Sequence, residues 1–241
     1  MSVLPITSDQ VQELFRSFEL SAEESKYLKY HLQRFTYTVN QVQQIANQST
    51  ERLSILDIGP HMLSYCILKL VKPTPVIFTM GFLNERLFPL ALAEKHFELD
   101  LNDCMSVSKD MIKDRFDLIL FSETIEHLYT SPTIILEFLS GLLRNEPGSG
   151  ILIQTPNAVN IRKRVKMLSG RNPYELIRTD RTNPGHFREY TINELEQYGK
   201  DAGLQTGFAH YCSYWPINNP FFRMANLVPS FRQGITIFLK K

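Results

Sequence analysis

Phe116-Asp117-Leu118-Ile119-Leu120-Phe121-Ser122-Glu123 is an apolar run of strand length that ends in a hydroxyl and a carboxylate. It has a counterpart on each side, Ile55-Leu56-Asp57-Ile58-Gly59 earlier in the chain and Gly150-Ile151-Leu152-Ile153-Gln154-Thr155-Pro156-Asn157 later. Compact runs of this kind read as strands buried on both faces, the habit of parallel sheets. In open parallel sheets, ligands bind in the crevice outside the carboxyl ends of the strands. The three strings therefore imply an α/β domain that delivers polar groups to a cofactor crevice.

Strand and helix patterns alternate around them. Residues from Ser8 to Asn47 carry Val11, Leu14, Phe15 and Phe18 at helical spacing, and Ser21 with Glu24 three residues on reads as a helix cap. This helical lead-in is assigned to residues 1–50, and one main domain to 51–241. Within it, Arg52 to Ile58 is the first strand, Leu63 to Val71 a helix, and Val76 to Thr79 the second strand. Phe97 to Leu101 reads as the third strand, Phe116 to Phe121 as the fourth, and Pro132 to Arg144 as the helix before the fifth. Alternation at this pitch implies a parallel sheet with right-handed crossovers. Residues 157–185 break the pattern with Arg162-Lys163-Arg164-Val165-Lys166-Met167-Leu168 and Gly170-Arg171-Asn172-Pro173. They read as a lid over the strand ends, with Val165, Met167 and Leu168 packed beneath it. Thr191 with Glu194 then caps a helix that Gly203 stops, and Leu204 to Tyr214 and Gly234 to Leu239 supply two further strands.

The chain of 241 residues holds 26 Lys and Arg against 25 Asp and Glu, a balance that argues against nucleic acid as the main partner. Cys66, Cys104 and Cys212 are odd in number and lack CxxC spacing, so neither a disulfide framework nor a thiolate zinc site is indicated. The first residues lack a secretory pattern and no apolar run approaches the ~20 residues that span a bilayer. The expectation is a soluble cytoplasmic protein, with peripheral membrane contact through the basic lid left open.

The ordered set of Asp57-Ile58-Gly59, Asp100-Leu101, Phe116-Asp117-Leu118 leading to Glu123-Thr124-Ile125-Glu126-His127-Leu128, and Pro147-Gly148 before Thr155-Pro156-Asn157 resembles the class I methyltransferases that use S-adenosylmethionine (SAM). Among these it is similar to small-molecule O-methyltransferases of the ubiquinone-biosynthesis type. The resemblance implies a Rossmann-like, seven-stranded, mostly parallel sheet whose last strand, from Gly234, is antiparallel. It also implies a SAM site: Asp57, Gly59, Pro60 and His61 at the first turn, Asp100 and Leu101 by the adenine, Ser122 and Glu123 beside the sulfonium. A glycine turn lets backbone approach a ligand, and the helix that follows can receive a carboxylate at its N-terminus.

Two features depart from the family pattern. The first turn reads Gly59-Pro60-His61-Met62-Leu63, without its second and third glycines, so His61 must point away, contact the cofactor or narrow the pocket. The second strand ends Thr79-Met80-Gly81-Phe82 with no acid for the ribose, leaving Thr79 or Glu85 to compensate. A scaffold that keeps the fold without turnover is the alternative these losses raise.

Glu123, Glu126 and His127 stand at i, i+3 and i+4, so a helix there would place all three on one face, where carboxylates and imidazole suit Mg²⁺ or Mn²⁺. The same spacing resembles metal-using O-methyltransferases, including those acting on small-RNA 3′ ends, and by that resemblance His186 would be a further ligand. Without a metal, His127 orients the acceptor or serves as general base, with Glu126 and His186 beside it. For the acceptor, Arg34 and Tyr37, with His31, either line one helix face that closes over the cofactor or form a solvated face. Arg188 and Tyr190 are placed in the acceptor pocket, although Tyr190 equally suits a structural position before the cap Thr191. The expected reaction is methyl transfer to a hydroxyl of a small molecule: a sugar, lipid-linked glycan or phenol. A metal-dependent 2′-O-methyltransferase acting on small-RNA ends is the remaining alternative.

Overall fold

The computed structural model of the chain describes residues 4–82, 88–107, 112–179, 184–215 and 220–241. Glu85 lies outside the described residues. Seven strands, β1 (Ser54–Ile58), β2 (Val76–Gly81), β3 (Lys95–Glu98), β4 (Leu118–Ser122), β5 (Gly150–Pro156), β6 (Gln205–Cys212) and β7 (Gly234–Lys240), form one sheet. Their order is β3-β2-β1-β4-β5-β7-β6. Neighbours from β3 to β5 pair in parallel, and β7 inserts antiparallel between β5 and β6. This is the Rossmann-like sheet that the sequence implied. The chain leaves β1 in one direction for β2 and β3 and returns on its other side as β4. That reversal opens the crevice at the carboxyl ends of β1 and β4.

The central strands lack polar alternation because both faces are covered. Leu56, Ile58, Ile119, Phe121, Ile151 and Ile153 enter one core with residues of α4 (Pro132–Leu142) and α6 (Ile192–Asp201). Their alternates Ile55, Leu118, Leu120 and Leu152 enter a second core. There they meet α1 (Ser8–Glu13), α2 (Ala22–Ala46) and α3 (Met62–Leu70). Each such side chain gains roughly 1.5–3 kcal/mol by burial. The long α2 begins at the expected cap, where Ser21 N–H donates to Glu24 and Glu24 N–H donates to Ser21 Oγ. It then lays Phe35, Val39, Val42 and Ala46 into the second core at helical spacing.

Two boundaries differ from the sequence reading. The third strand stops at Glu98, because Asp100 Oδ1 accepts from Asn102 N–H at 2.9 Å and starts a 3-10 turn over Leu101–Ser106. The lid helix α5 (Ile161–Leu168) does not cover its apolar residues: Val165, Met167 and Leu168 are exposed. A short helix, α7 (Pro220–Ala225), packs beside it. Among the described residues no helix is long and apolar enough to cross a membrane, and all three cysteines are buried and outside any disulfide.

Candidate functional site

Gly59, directly after β1, has φ +73°, a conformation that glycine adopts without strain. Its N–H donates to Met80 O at 2.8 Å, and a Cβ on Gly81 would lie 3.6 Å from that nitrogen, so the ends of β1 and β2 converge tightly. Asp57 lies buried beneath this turn. Ser64, in the first turn of α3, donates to Asp57 Oδ2 at 2.5 Å and accepts from His61 N–H at 2.8 Å. Burial pushes the Asp57 carboxyl up to about 7 against the pull of Ser64 and Arg34. The His61 ring turns toward α2 and packs on Tyr27, centroids 4.6 Å apart. Burial, assisted by Arg34, lowers it to about 4. Thr79, the expected substitute for the ribose acid, is buried with its hydroxyl hydrogen-bonded to His96 Nδ1 at 2.9 Å. This pairing engages the group expected to meet the ribose.

From α2, Arg34 reaches the end of β4. Only 3% exposed, it donates to Ser122 Oγ at 2.7 Å, to His31 Nδ1 at 3.2 Å and to Tyr27 Oη at 3.5 Å. Ser122 donates onward to Gln154 Oε1, which also receives the Thr38 hydroxyl. A solvated helix face is thereby excluded for Arg34. Burial next to Arg34 and His61 drives His31 down to about 3. Trp215 Nε1 lies 3.4 Å from the same His31 nitrogen, which places the single tryptophan at this edge. Tyr37 belongs elsewhere: its ring meets Tyr214 at 5.5 Å, and it lines a surface cleft with Gln33 and Arg232.

Beyond β4 the expected helix face is replaced by sharper geometry. Glu123 is left-handed at φ +54°, and only Ile125–His127 form a 3-10 turn. Glu123 therefore parts from Glu126 and His127, and the ligand atoms that converge, within 4.8 Å of one another, are those of Glu126, His127 and His186. Glu126 is buried, with Oε2 accepting from Thr155 Oγ1 at 3.0 Å. Its other oxygen, like Glu123 Oε1, has no hydrogen-bond partner among the described residues. Burial raises both carboxyls, and the neighbouring Glu123 lifts Glu126 further. His127 Nδ1 lies 3.0 Å from Gly185 O and His186 Nδ1 lies 3.1 Å from Glu189 Oε1. Both acceptors require an Nδ1 proton, which leaves each Nε2 with its lone pair. Burial depresses both imidazoles, His186 to about 4, so both are neutral near pH 7. Glu189 also forms an ion pair with Lys163 of α5, joining the lid to the cluster.

Two expected acceptor residues turn away. Arg188 bonds Glu194 at 2.6 Å on an exposed edge, and Tyr190 is buried edge-on to Tyr198 as the structural anchor before α6. Asp100 is occupied with Asn102, whose Oδ1 accepts from Tyr129 N–H at 2.8 Å and so ties the exit of β3 to the segment after β4. The sequence reading missed Ser64, Thr155 and Glu189. Ser64 and Glu189 had local signals, three residues after the cap position of α3 and three after His186; Thr155 acts through Glu126, remote in sequence.

A family model described as a methyltransferase domain matches residues 30–206. No curated protein sequence matches the chain. Among solved structures it is similar to a SAM-dependent methyltransferase from Archaeoglobus fulgidus, with 14% identity and TM-score 0.56 over 92% of this chain and 100% of that one. The magnesium protoporphyrin IX methyltransferase of Synechocystis, solved with bound SAH, gives 10% identity and TM-score 0.54 over 97% and 94%. A cyclopropane-fatty-acyl-phospholipid synthase-like protein from Lactobacillus casei gives 11% and 0.58 over 97% and 98%. With its sheet order, its glycine turn after β1 and the family match over most of its length, this chain belongs to the class I methyltransferase family.

Proposed function

We propose that the protein binds SAM between the ends of β1, β2 and β4 and transfers its methyl group to a hydroxyl of a small molecule, with sugars, lipid-linked glycans and phenols as the acceptor classes. The residues suit that cofactor: the Gly59 turn admits a ligand against backbone, and Glu123 Oε1 is a buried acceptor with no hydrogen-bond partner among the described residues. When bound, SAM supplies a methyl group on a cationic sulfur that departs as a neutral thioether. The observation that carries the hydroxyl assignment is the pair of neutral imidazoles whose Nδ1 protons are anchored beside Glu126. With its Nδ1 proton held by Gly185 O, His127 would offer Nε2 as the base that takes the proton of an acceptor hydroxyl. The Gly185 carbonyl holds the ring in that tautomer, and exposed Tyr129 and Phe187, 5.8 Å apart, give the entrance an apolar rim.

A second reading is favoured by the same cluster. Glu126 Oε1 and two imidazoles held through their far nitrogens form a donor set for a divalent ion such as Mn²⁺ or Mg²⁺, with Glu189 and Gly185 O orienting the rings. Such an ion would lower the pKa of a bound hydroxyl. Calorimetric titration with SAM, with Mg²⁺ and then with chelator, tests both readings. Saturable one-site binding is expected, and absence of binding under both conditions overturns the cofactor assignment and favours the scaffold alternative. Methyl transfer that survives excess chelator removes the metal.

A further inference from the structure

The surface outside the His127–His186 cluster differs from the rest of the molecule. α5 carries Ile161, Val165 and Leu168 at i, i+4 and i+7, a stripe on one helix face, and Leu168 is 89% exposed. The following segment adds Leu176 at 85% exposure, and the end of the α7 region adds Leu227 at 79%. These pieces form one surface. The Arg162 guanidinium lies over the Phe222 ring at 5.6 Å and that of Arg164 over Phe231 at 5.0 Å, while Tyr174 Oη bonds Ala158 O and draws residues 171–178 back along α5.

Charge distinguishes this surface as sharply as its apolar content. Residues 161–178 and 220–232 hold eight basic residues and one acid, Glu175, and leave 18 basic against 24 acidic residues in the rest of the chain. Lys163 is spent on Glu189, but Arg162, Arg164, Lys166, Arg171 and Arg223 are exposed. Exposed aliphatic residues interleaved with cations complement the interface of an anionic bilayer, where apolar groups enter the acyl boundary and Lys and Arg meet the headgroups. A second copy of the same face would set like charges against each other. Nucleic acid would leave the leucines without a partner, because stacking needs aromatic rings.

We infer that α5, residues 171–178 and α7 form a face that docks on anionic lipid bilayers and holds the His127–His186 end of the sheet at the membrane surface. The connection to the site is short: a Cβ on Gly185 would sit 3.3 Å from Glu175 Oε2, and the Gly185 carbonyl is the partner of His127. This inference stands on the surface alone and does not require methyl transfer.

Flotation of the full chain with vesicles of phosphatidylcholine, alone or mixed with phosphatidylglycerol, tests it without any cofactor. Retention is expected only on the mixed vesicles and should weaken as salt is added. The triple variant Arg162→Glu, Arg164→Glu, Lys166→Glu should lose affinity by roughly a hundredfold or more. Leu168→Ser with Leu227→Ser should also release the protein from mixed vesicles. All five positions are exposed, so thermal unfolding should match the parent and separate lost docking from lost folding. No retention on mixed vesicles overturns the inference, as does equal retention of the charge variant. Self-association through Leu168 without vesicle binding assigns the face to a second copy and likewise overturns it.

Discussion

Asp57→Asn separates what the crevice needs for binding from what the fold needs for stability. The Asp57 carboxyl sits under the Gly59 turn, held by Ser64, and burial raises it from 3.8 to about 7. An acid whose folded pKa lies above its unfolded value contributes stability that is fully present below the unfolded pKa and is lost as pH rises through the folded one. A shift of roughly three units, at about 1.4 kcal/mol each, amounts to about 4 kcal/mol, of which about 2 kcal/mol falls between pH 5.5 and 8.5. Asparagine keeps an acceptor for Ser64 and does not titrate. The stability difference between variant and parent should therefore move in the variant's favour by about 2 kcal/mol from pH 5.5 to 8.5. Urea unfolding of both proteins across that range measures it, and taking the difference cancels every group the two share. A difference that stays flat with pH would refute the burial argument. Titration of both with SAM at pH 8.5 completes the test: the variant should bind more weakly, and equal affinity would remove Asp57 from the cofactor site.

His127→Ala should leave SAM affinity unchanged while lowering turnover about a hundredfold or more, as expected for loss of a general base; equal loss of binding would show that the ring holds the cofactor. Arg34→Met should cost about 3 kcal/mol in chemical unfolding at pH 8, because the buried carboxyls of Asp57, Glu123 and Glu126 lose their cation. The cost should shrink at pH 6 as Asp57, raised to about 7, takes up its proton, and a cost that does not change with pH would contradict that origin. Thr191→Ala should cost about 1 kcal/mol by removing the cap of α6, where Thr191 Oγ1 accepts from Glu194 N–H at 3.3 Å; thermal unfolding reads it.

The sheet was legible because burial on both faces leaves a local signature: Leu118-Ile119-Leu120-Phe121 must be apolar throughout when alternate residues feed two cores. Caps were legible for a similar reason, since Ser21 with Glu24 and Thr191 with Glu194 close hydrogen bonds within four residues. The site was legible only in part. Helical spacing suggested that Glu123 would join Glu126 and His127, yet Glu123 is left-handed and its N–H is tied to Gln154 O across the sheet, a long-range pairing that no local pattern reports. His186 was found through resemblance, and its orienting partner Glu189 stands only three residues on, whereas the Lys163–Glu189 ion pair joins positions that only the fold brings together.

The altered first turn and the buried Arg34 are two sides of one arrangement. Where the family pattern has further glycines, this chain has His61, and a ring at that point requires an opposing surface. Tyr27 of α2 supplies it, one helical turn from His31 and two from Arg34. The buried stripe of Phe35, Val39, Val42 and Ala46 sets the rotation of α2, and that rotation both seats Tyr27 on His61 and carries Arg34 to Ser122 at the end of β4. The lead-in helix thus brings a cation near the buried carboxyls of Asp57, Glu123 and Glu126, each of which its charge holds below the pKa that burial alone would give. Replacing His61 with glycine would restore the second glycine of the family turn, though not the third at Leu63, and would remove the ring that seats Tyr27. The loss would reach Arg34 through Tyr27 Oη, which accepts from the Arg34 guanidinium at 3.5 Å.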